Sequence, residues 1–479
     1  MSSQVRVLHI SHVRPVQTAG LSPPLQVEHK LSFLDVLQIR RTIQRLFFFD
    51  GPDLPPFPSV VTALRSSLAA TLAAFVPLAG ELSYRPDTGD VVIDSSSSSG
   101  VKFVEAEFAG GADAMRRLAR EDAHDVEAFA RLVPALGAGS LPAPVLAVQV
   151  TRPADGGAAV AVGVSIQHAV ADGHAVWQFL GTWSAVSREG PASLAAAAPG
   201  FVQPTFDRAG IRHPKSDELA REMLSKVAPA LPMLRSTSSS KPAEIVQQST
   251  RTFLLRADEI LSLKQHILEQ SRTLNRGGEP CNPPSTYVAV TSLAWASIVR
   301  AKHLTMRDAD DAHLVIGADC RNRLRPPLGD GFFGNCVKAC YARAGAGELR
   351  GEAGVARAAA AIRAAIHAGL DEDLEGGPLA DAEGWTAAYA AIPKERVVAV
   401  ASSNRFMAYE TDFGWGAPSR VEMASSFAAQ MVALLGARDG AVQVSVALDA
   451  AAMGDFAANF VVPAPVSAAD TVAAAVVLQ

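Results

Sequence analysis

A long proline- and serine-rich stretch near the middle of the chain constrains its fold most. Residues 200–241 carry four spaced prolines and close on the run Ser236-Thr-Ser-Ser-Ser-Lys241, which Pro242 follows. Such a composition is typical of a surface connection and not of a packed element. The chain of 479 residues is also about two to three times the usual domain size. We therefore predict an N-terminal domain over 1–205, a crossover linker over 206–248 and a C-terminal domain over 249–479.

Both halves alternate patterns typical of helices and strands. In the first half, apolar residues recur at helical spacing over Pro56–Ala79, whereas Val145–Val150 and Val160–Ile166 are strand-like. The second half carries helix patterns at 257–270, 288–299 and 354–369 and strand patterns at 252–255, 313–317 and 442–448. This alternation predicts an α/β fold with two mixed domains of similar size and a cleft between them.

Charge and hydropathy exclude several classes of protein. Lysine and arginine number 43 and aspartate and glutamate 48, which gives a net charge of −5. So mild an acidity argues against nucleic acid or an anionic membrane as a partner. The sequence has no apolar run of about 18 residues, and its start lacks the pattern of a signal peptide. We therefore expect a cytoplasmic protein.

The cysteines predict reduced structural thiols. A disulfide framework is not expected in an intracellular chain, and a zinc site lacks paired histidines at a suitable spacing. The four residues are Cys281, Cys320, Cys336 and Cys340. No metal is therefore predicted.

The segment Ile166–Gly173 has the strongest catalytic signal. His168 immediately follows an apolar strand, and Asp172 and Gly173 occupy the next turn. Strand ends are where rigid sheets aim reactive groups, and an imidazole can take a proton from a hydroxyl near neutral pH. A core histidine satisfied by backbone groups is the alternative. The HxxxDG pattern after a strand favours catalysis.

A second segment, Tyr409–Pro418, predicts a tight buried turn. Gly414 and Gly416 flank Trp415, and a proline ends the segment. Asp412 fits a turn-capping role better than a catalytic one. Patterns for a GxSxG nucleophile elbow, a Walker loop or an HExxH zinc site are absent from the sequence.

These two segments, with five others in the same order, resemble the plant BAHD acyl-CoA-dependent acyltransferases over essentially the whole chain. The five others are Leu31–Asp35, Gln44–Phe48, Phe75–Leu82, Asp319–Pro327 and Gly331–Cys336. Gly331–Cys336 is close to the YFGNC motif of the branch that malonylates anthocyanin and flavonoid glycosides. Gln167 stands where many relatives have a second histidine, at a position that varies in the family.

The resemblance implies a chloramphenicol-acetyltransferase-like pair of domains, a long crossover loop and an active site in the channel between them. It implies malonyl transfer from malonyl-CoA to a sugar hydroxyl of a flavonoid or phenolic glycoside, in plant specialised metabolism. His168 would be the general base of a direct attack in a ternary complex. Asp172 would hold the loop by pairing with Arg321, and Asp412 would be a further catalytic candidate. Acyl-CoA would be a co-substrate with no permanently bound cofactor, and the family precedent is a monomer.

The resemblance also suggests residues for the two ends of the donor. Coenzyme A needs cations and hydrogen-bond donors, and a malonyl carboxylate needs a cation or several donors. The candidates for coenzyme A are Arg45, Ser285, Thr286 and Arg323. The candidates for the acyl pocket are His174, Ser402, Ser403 and Arg405. Residues assigned a structural part are Gly173, Arg321, Phe413, Gly414, Trp415 and Gly416.

Three alternatives stay open at this stage. The same chemistry could use acetyl-CoA or a hydroxycinnamoyl-CoA with another alcohol or amine. Condensation domains of peptide synthetases share a related histidine motif, but they take acyl groups from carrier proteins, and nothing in the chain resembles an attached carrier domain. A catalytically silent binding paralogue is a third reading, which the intact His168 and Asp172 oppose.

Overall fold

The computed structural model describes residues 5–16, 27–96, 99–137, 139–195, 200–234, 248–275, 282–370, 376–425 and 430–462. The strands in these ranges are β1 (Val5–Val13), β2 (Glu28–Lys30), β3 (Thr42–Phe49), β4 (Glu81–Arg85), β5 (Asp90–Asp94), β6 (Val101–Phe108), β7 (Ala143–Pro144), β8 (Leu146–Pro153), β9 (Val160–Gln167), β10 (Gln248–Leu255), β11 (Asp311–Asp319), β12 (Val337–Gly345), β13 (Val397–Met407), β14 (Arg420–Glu422), β15 (Met431–Gly436) and β16 (Val442–Asp449).

The α-helices in the same ranges surround the sheets. They are α1 (Phe33–Val36), α2 (Phe57–Thr71), α3 (Gly111–Arg120), α4 (Val126–Leu132), α5 (Gly173–Glu189), α6 (Ser216–Val227), α7 (Ala257–Leu274), α8 (Thr286–Ala301), α9 (Ala346–Arg350), α10 (Gly354–Gly369), α11 (Trp385–Ala390) and α12 (Ala450–Asn459).

Two six-stranded mixed sheets form the framework. The first has the order β1-β6-β8-β9-β3-β14 and the second β10-β16-β15-β13-β11-β12. A smaller sheet, β2-β5-β4-β7, lies in the first half. The predicted α/β class with two mixed units is confirmed.

Strand β9 positions the most informative segment of the sequence. It pairs with β8 on one side and β3 on the other, and all eight of its residues are buried. Its run of small and β-branched apolar residues suits a strand covered on both faces. The chain leaves β9 at Gln167 and enters α5 at Gly173, with Asp172 as the N-cap. The turn between them is therefore anchored at both ends.

The two halves of the sequence share a core. Strand β14, from the second half, pairs antiparallel with β3 and adds an edge strand to the first sheet. Phe333 and Phe413 also pack into the hydrophobic core of the first half. The second half therefore contributes to the core of the first half and also has a hydrophobic core of its own, which includes Trp295 and Phe456. The boundaries at 205 and 249 stay a prediction.

The predicted linker contains a packed helix, which corrects our expectation of a plain surface connection. Helix α6 buries Leu219, Ala220, Met223 and Leu224 in the first core, because their spacing gives the helix one apolar stripe. The flanking prolines hid this short amphipathic segment from sequence reasoning. The serine-rich run at 236–242 lies outside the described residues.

We expect Met223→Ala to lower the free energy of unfolding by about 2–5 kcal/mol, the usual cost of a cavity at a buried position. Met223 is 2% exposed. Urea unfolding measures the change. Glu222→Ala is the matched control one residue away, because the pair of Glu222 with Lys226 is exposed and such pairs contribute about 0–1 kcal/mol. Equal small effects of both variants would mean that α6 is only a surface tether.

The helix predicted over 56–79 is wrong at its C-terminal end. Helix α2 stops at Thr71, and the chain resumes as a 3₁₀ turn at Val76–Ala79. Pro77 explains the break, since proline lacks an amide hydrogen and disfavours helical backbone at the residue before it.

The cysteines that the structure describes are buried free thiols. They are Cys320, Cys336 and Cys340, whereas Cys281 lies outside the described residues. Burial raises the pKa of Cys320 to about 12 and that of Cys340 to about 11, so both stay protonated at neutral pH. Within the described ranges, no helix has the length and apolarity needed to cross a membrane.

Candidate active site

His168 lies where the two halves of the chain meet. Its backbone amide donates to the carbonyl oxygen of Arg41 at 3.0 Å, in the first half. Its own carbonyl accepts from Nδ2 of Asn335 at 2.8 Å, in the second half. The position of His168 therefore depends on contacts from both halves.

The imidazole of His168 is held in its neutral form. The residue is partly exposed although its Nδ1 atom is buried. Burial lowers the pKa of His168 to about 4, and the charges of Arg41 and Arg45 act in the same direction, against that of Asp172. An imidazole that is neutral at neutral pH has a free lone pair for a proton, so its protonation state is compatible with a general base.

Asp172 points its carboxylate at the backbone and at Arg321. Oδ1 accepts from the amide of Ala175 at 3.1 Å, and Oδ2 accepts from the amide of Cys336 at 3.0 Å. Nη2 of Arg321 lies 2.9 Å from Oδ2 and 3.0 Å from Oδ1, and both side chains are buried. The expected pairing of Asp172 with Arg321 is therefore present, and it fixes the start of α5 to the second half.

Arg321 is itself anchored on the second half. Its Nη1 donates to Oδ2 of Asp319 at 3.1 Å and its Nη2 to the carbonyl of Gly334 at 3.0 Å. A buried guanidinium with several acceptors is a rigid partner, because its planar fork fixes the geometry of each contact. The loop after His168 thus has a defined position relative to the second sheet.

A second buried aspartate supports His168 indirectly, and sequence reasoning missed its role. Asp35 is fully buried, and its Oδ1 accepts from the amide of Asn335 at 3.0 Å and from Nδ2 at 2.9 Å. Nε of Arg208 donates to Oδ2 at 3.3 Å. Asn335 thereby bridges Asp35 and His168. The sequence did contain one signal for this role, an aspartate within an apolar helix segment. Such an aspartate is expected to be buried, and a buried carboxylate needs several hydrogen-bond donors.

Gly173 is required by a close approach of the second sheet. A Cβ atom there would lie 2.9 Å from Cε2 of Phe406, on β13. Phe406 stacks on Trp177 of α5 with ring centroids 6.3 Å apart. The first turn of α5 therefore packs directly against β13.

The acyl-pocket candidates lie on these same two elements. His174 is in the first turn of α5, with Nε2 at 3.3 Å from the carbonyl oxygen of Asp330. Ser402, Ser403 and Arg405 lie on β13, where Arg405 is exposed. Ser402 has a φ of 68°, and the pairing with β15 shifts after Ser403, so the strand is irregular here.

The coenzyme A candidates fall into two groups. Ser285 is an exposed N-cap that accepts from the amide of Val288 at 3.2 Å, and Thr286 follows it as the first residue of α8. Arg323 is exposed on a 3₁₀ turn. Arg45, by contrast, is 3% exposed on β3. Arg45 was predicted to bind the phosphates of coenzyme A at the mouth of a cleft. A residue that is so deeply buried does not suit that part.

The turn that carries Asp412 lies at the far end of α5. Oδ1 of Asp412 accepts from the amides of Gly414 at 2.7 Å and Gly416 at 2.9 Å, and both glycines have positive φ. Arg188, near the C-terminus of α5, donates to the carbonyl of Asp412 at 2.9 Å. Sixteen residues of helix separate Arg188 from Asp172, or about 24 Å. The geometry favours the turn-capping role of Asp412 over a catalytic one.

The aromatic residues of this turn are part of the first core. The ring of Phe413 lies 4.9 Å from that of Trp183 on α5 and 6.0 Å from that of Phe49 on β3. Trp415 packs on Phe49 at 6.0 Å. These contacts agree with a structural part for the segment.

We expect Asp412→Ala to destabilise the fold and to leave the chemistry nearly intact. The two amides lose their acceptor in a partly exposed turn, which costs about 1–3 kcal/mol. Thermal unfolding measures the loss of stability, and kcat measured at a temperature below the unfolding transition measures the effect on the chemistry. A fall of kcat by about 100-fold or more with unchanged stability would give Asp412 a direct catalytic role.

A large cavity of the structure does not have His168 in its wall. It has a volume of about 730 Å³ and opens beside α1 and α6, where Phe33, Arg208 and Ala220 contribute to its wall. A cavity volume by itself does not identify a catalytic site, because that also needs titratable groups in a suitable arrangement. Within the described part of the chain, no group of histidine, cysteine and acidic side chains is arranged to hold a metal ion.

Comparison with known sequences identifies the family. The transferase family matches residues 19–462, so the chain belongs to this family, the BAHD acyl-CoA-dependent acyltransferases. Phenolic glucoside malonyltransferase 1 of Arabidopsis thaliana is 28% identical over 457 residues, covering 92% of this chain and 93% of that protein. Malonyl-coenzyme:anthocyanin 5-O-glucoside-6'''-O-malonyltransferase of Salvia splendens is 27% identical, covering 89% and 87% respectively.

A solved structure confirms the fold. The crystal structure of vinorine synthase has a TM-score of 0.69 with 20% identity and covers 94% of this chain and 96% of its own. Membership of the family makes the chain an enzyme that uses acyl-CoA as co-substrate.

Proposed function

We propose that the protein transfers a malonyl group from malonyl-CoA to a sugar hydroxyl of a phenolic or flavonoid glycoside, with His168 as the general base. The observation that carries the proposal is the position of His168, a partly exposed imidazole at the junction of the two halves. Its backbone is held by Arg41 and Asn335, and the following loop is held by the buried pair of Asp172 and Arg321.

The reaction requires one proton acceptor and a fixed loop. His168 takes the proton of the acceptor hydroxyl as its oxygen attacks the thioester carbonyl carbon. The tetrahedral oxyanion then collapses, the carbon–sulfur bond breaks, and the proton on His168 passes to the sulfur of the departing coenzyme A. Donor and acceptor react directly in a ternary complex. Asp172 is turned toward Arg321 and Cys336, and it therefore supports the loop without orienting the imidazole.

The choice of donor and acceptor is supported by the relatives. Two similar proteins are named as malonyltransferases of a phenolic glucoside and of an anthocyanin glucoside. The irregular part of β13 next to α5 offers small hydroxyls at Ser402 and Ser403. Such groups suit a short polar acyl chain better than a planar aromatic one.

A donor panel tests the proposal. The purified chain is incubated with malonyl-, acetyl- or hydroxycinnamoyl-CoA, with phenolic glucosides and their aglycones as acceptors, and the esters are detected by mass spectrometry. We expect malonyl esters of the glucosides, and none from the His168→Ala control at the same concentration and time. Exclusive use of acetyl- or hydroxycinnamoyl-CoA would refute the malonyl assignment, and acylation of aglycones alone would refute the sugar acceptor.

A further inference from the structure

Arg45 is a buried cation that lacks an anionic partner. Its residue is 3% exposed, and its Nε atom is buried without a hydrogen bond. Its Nη1 donates to the neighbouring carbonyl oxygen of Gln44 at 3.0 Å. Among the residues that the structure describes, no carboxylate forms an ion pair with Arg45. Burying an unpaired charge is costly, so this arrangement calls for an anion supplied from outside the chain.

Arg45 lies on the side of the first sheet that leads to His168. On β3 it faces Val164 of β9 in the antiparallel register. Ile166 follows Val164 by two residues on β9 and therefore lies on the same side of the sheet, and His168 comes directly after the end of this strand. The charge of Arg45 is also close enough to His168 to lower its pKa.

The surroundings of Arg45 leave its charge available. The carboxylate of Asp172, whose charge raises the pKa of His168, already accepts hydrogen bonds from Arg321 and from two backbone amides. The guanidinium carbon of Arg45 also lies 5.9 Å from the centre of the Trp177 ring. Stacking on Trp177 orients the planar guanidinium and does not neutralise it.

We infer that Arg45 binds the terminal carboxylate of a dicarboxylic acyl-CoA, with malonyl-CoA as the main example, and holds it next to His168. The inference rests on the proposed function and names the residue that selects the donor. One methylene group separates the carboxylate of a malonyl thioester from the carbonyl that reacts. A guanidinium that holds the carboxylate therefore also positions the carbonyl carbon near His168.

The test compares two donors in the same variant. We measure kcat/KM for malonyl-CoA and for acetyl-CoA, with one phenolic glucoside as acceptor, in the wild type and in Arg45→Met. We expect the malonyl value to fall by about 10- to 150-fold more than the acetyl value, because acetyl has no carboxylate to lose its partner. Arg45→Lys keeps the positive charge but loses the planar guanidinium and its paired hydrogen bonds, so we expect an intermediate loss.

Arg152→Met is the matched control. Arg152 lies on β8 of the same sheet, its Nε is also buried without a hydrogen bond, and its guanidinium lies 5.6 Å from the ring of Phe57. It differs in having an acidic partner, Glu107, at 3.0 Å and in having a side chain that is 41% exposed. We expect it to leave the ratio of the two donors unchanged. The acetyl-CoA rate of each variant shows that the protein is folded, and Arg45→Lys preserves the test if Arg45→Met does not fold.

Three outcomes separate this inference from the proposed function. Equal losses for both donors in Arg45→Met, in an enzyme that uses malonyl-CoA, would overturn the inference and leave the proposed function standing. A malonyl-specific loss in Arg405→Ala or His174→Ala, with none in the Arg45 variants, would move the carboxylate contact to that residue and overturn the inference. A wild-type enzyme that does not use malonyl-CoA would overturn the proposed function itself.

Discussion

Replacing His168 with alanine should lower kcat by about 10²- to 10⁴-fold, the share that a positioned general base contributes to proton transfer. The substitution removes the proposed proton acceptor at the junction of the two halves. The backbone contacts of residue 168 with Arg41 and Asn335 involve no atom of the imidazole, so the loop keeps its position. Single-turnover kinetics with saturating donor and acceptor measure the loss.

The pH profile provides a second check on His168. Burial lowers the pKa of the imidazole to about 4, so the base is neutral above that pH and protonated below it. We expect kcat/KM to stay level from neutral pH toward pH 5 and to fall as the pH drops through about 4. A fall centred near pH 6.5 would indicate an imidazole in an ordinary aqueous environment. Retention of near-native kcat in His168→Ala would exclude the general-base assignment.

Arg321→Ala should lower the free energy of unfolding by about 3–5 kcal/mol, the usual cost of leaving one partner of a buried ion pair uncompensated. Asp172 would keep its two backbone donors and lose its cation. Because α5 begins at Asp172, kcat should fall as well. Chemical unfolding and kcat, both measured on the same preparation, report these two effects.

An exposed pair on the same protein is the control for Arg321. Arg6 and Glu107 are joined at 2.7 Å, and the Arg6 side chain is 72% exposed. We expect Arg6→Ala to change the unfolding free energy by about 0–1 kcal/mol. Comparable small effects of both substitutions would show that the pair of Arg321 with Asp172 does not hold the loop.

The strand, turn and helix around His168 could be predicted because their signals are local. An apolar strand, a histidine at its end and an aspartate that caps the next helix lie within fourteen residues, Val160–Gly173. The prediction that Arg321 pairs with Asp172 came from the family pattern. Local spacing could not provide it, because the two residues are 149 positions apart. The presence of this pair in the structure supports the order of motifs as a guide to contacts.

The remaining parts of the site depend on tertiary packing, which a single sequence does not display. Asp35 and Asn335 are 300 residues apart, and neither segment has a pattern that pairs them. The burial of Arg45 was equally hidden, because a charged residue in a short strand is most often exposed. Helix α6 was missed for a different reason, since the prolines around it dominated the composition of the predicted linker.

The pairing of β14 with β3 has a consequence for synthesis of the chain on the ribosome. Ser419, at the start of the β14 segment, hydrogen bonds to Phe48 across 371 residues of sequence. Ribosomes add about 5–20 residues per second, so β14 is synthesised roughly 20–75 s after β3. During that interval the open edge beside Phe47, Phe48 and Phe49 can pair with other nascent chains. We therefore expect the yield of active enzyme to rise when the host is supplied with additional chaperones.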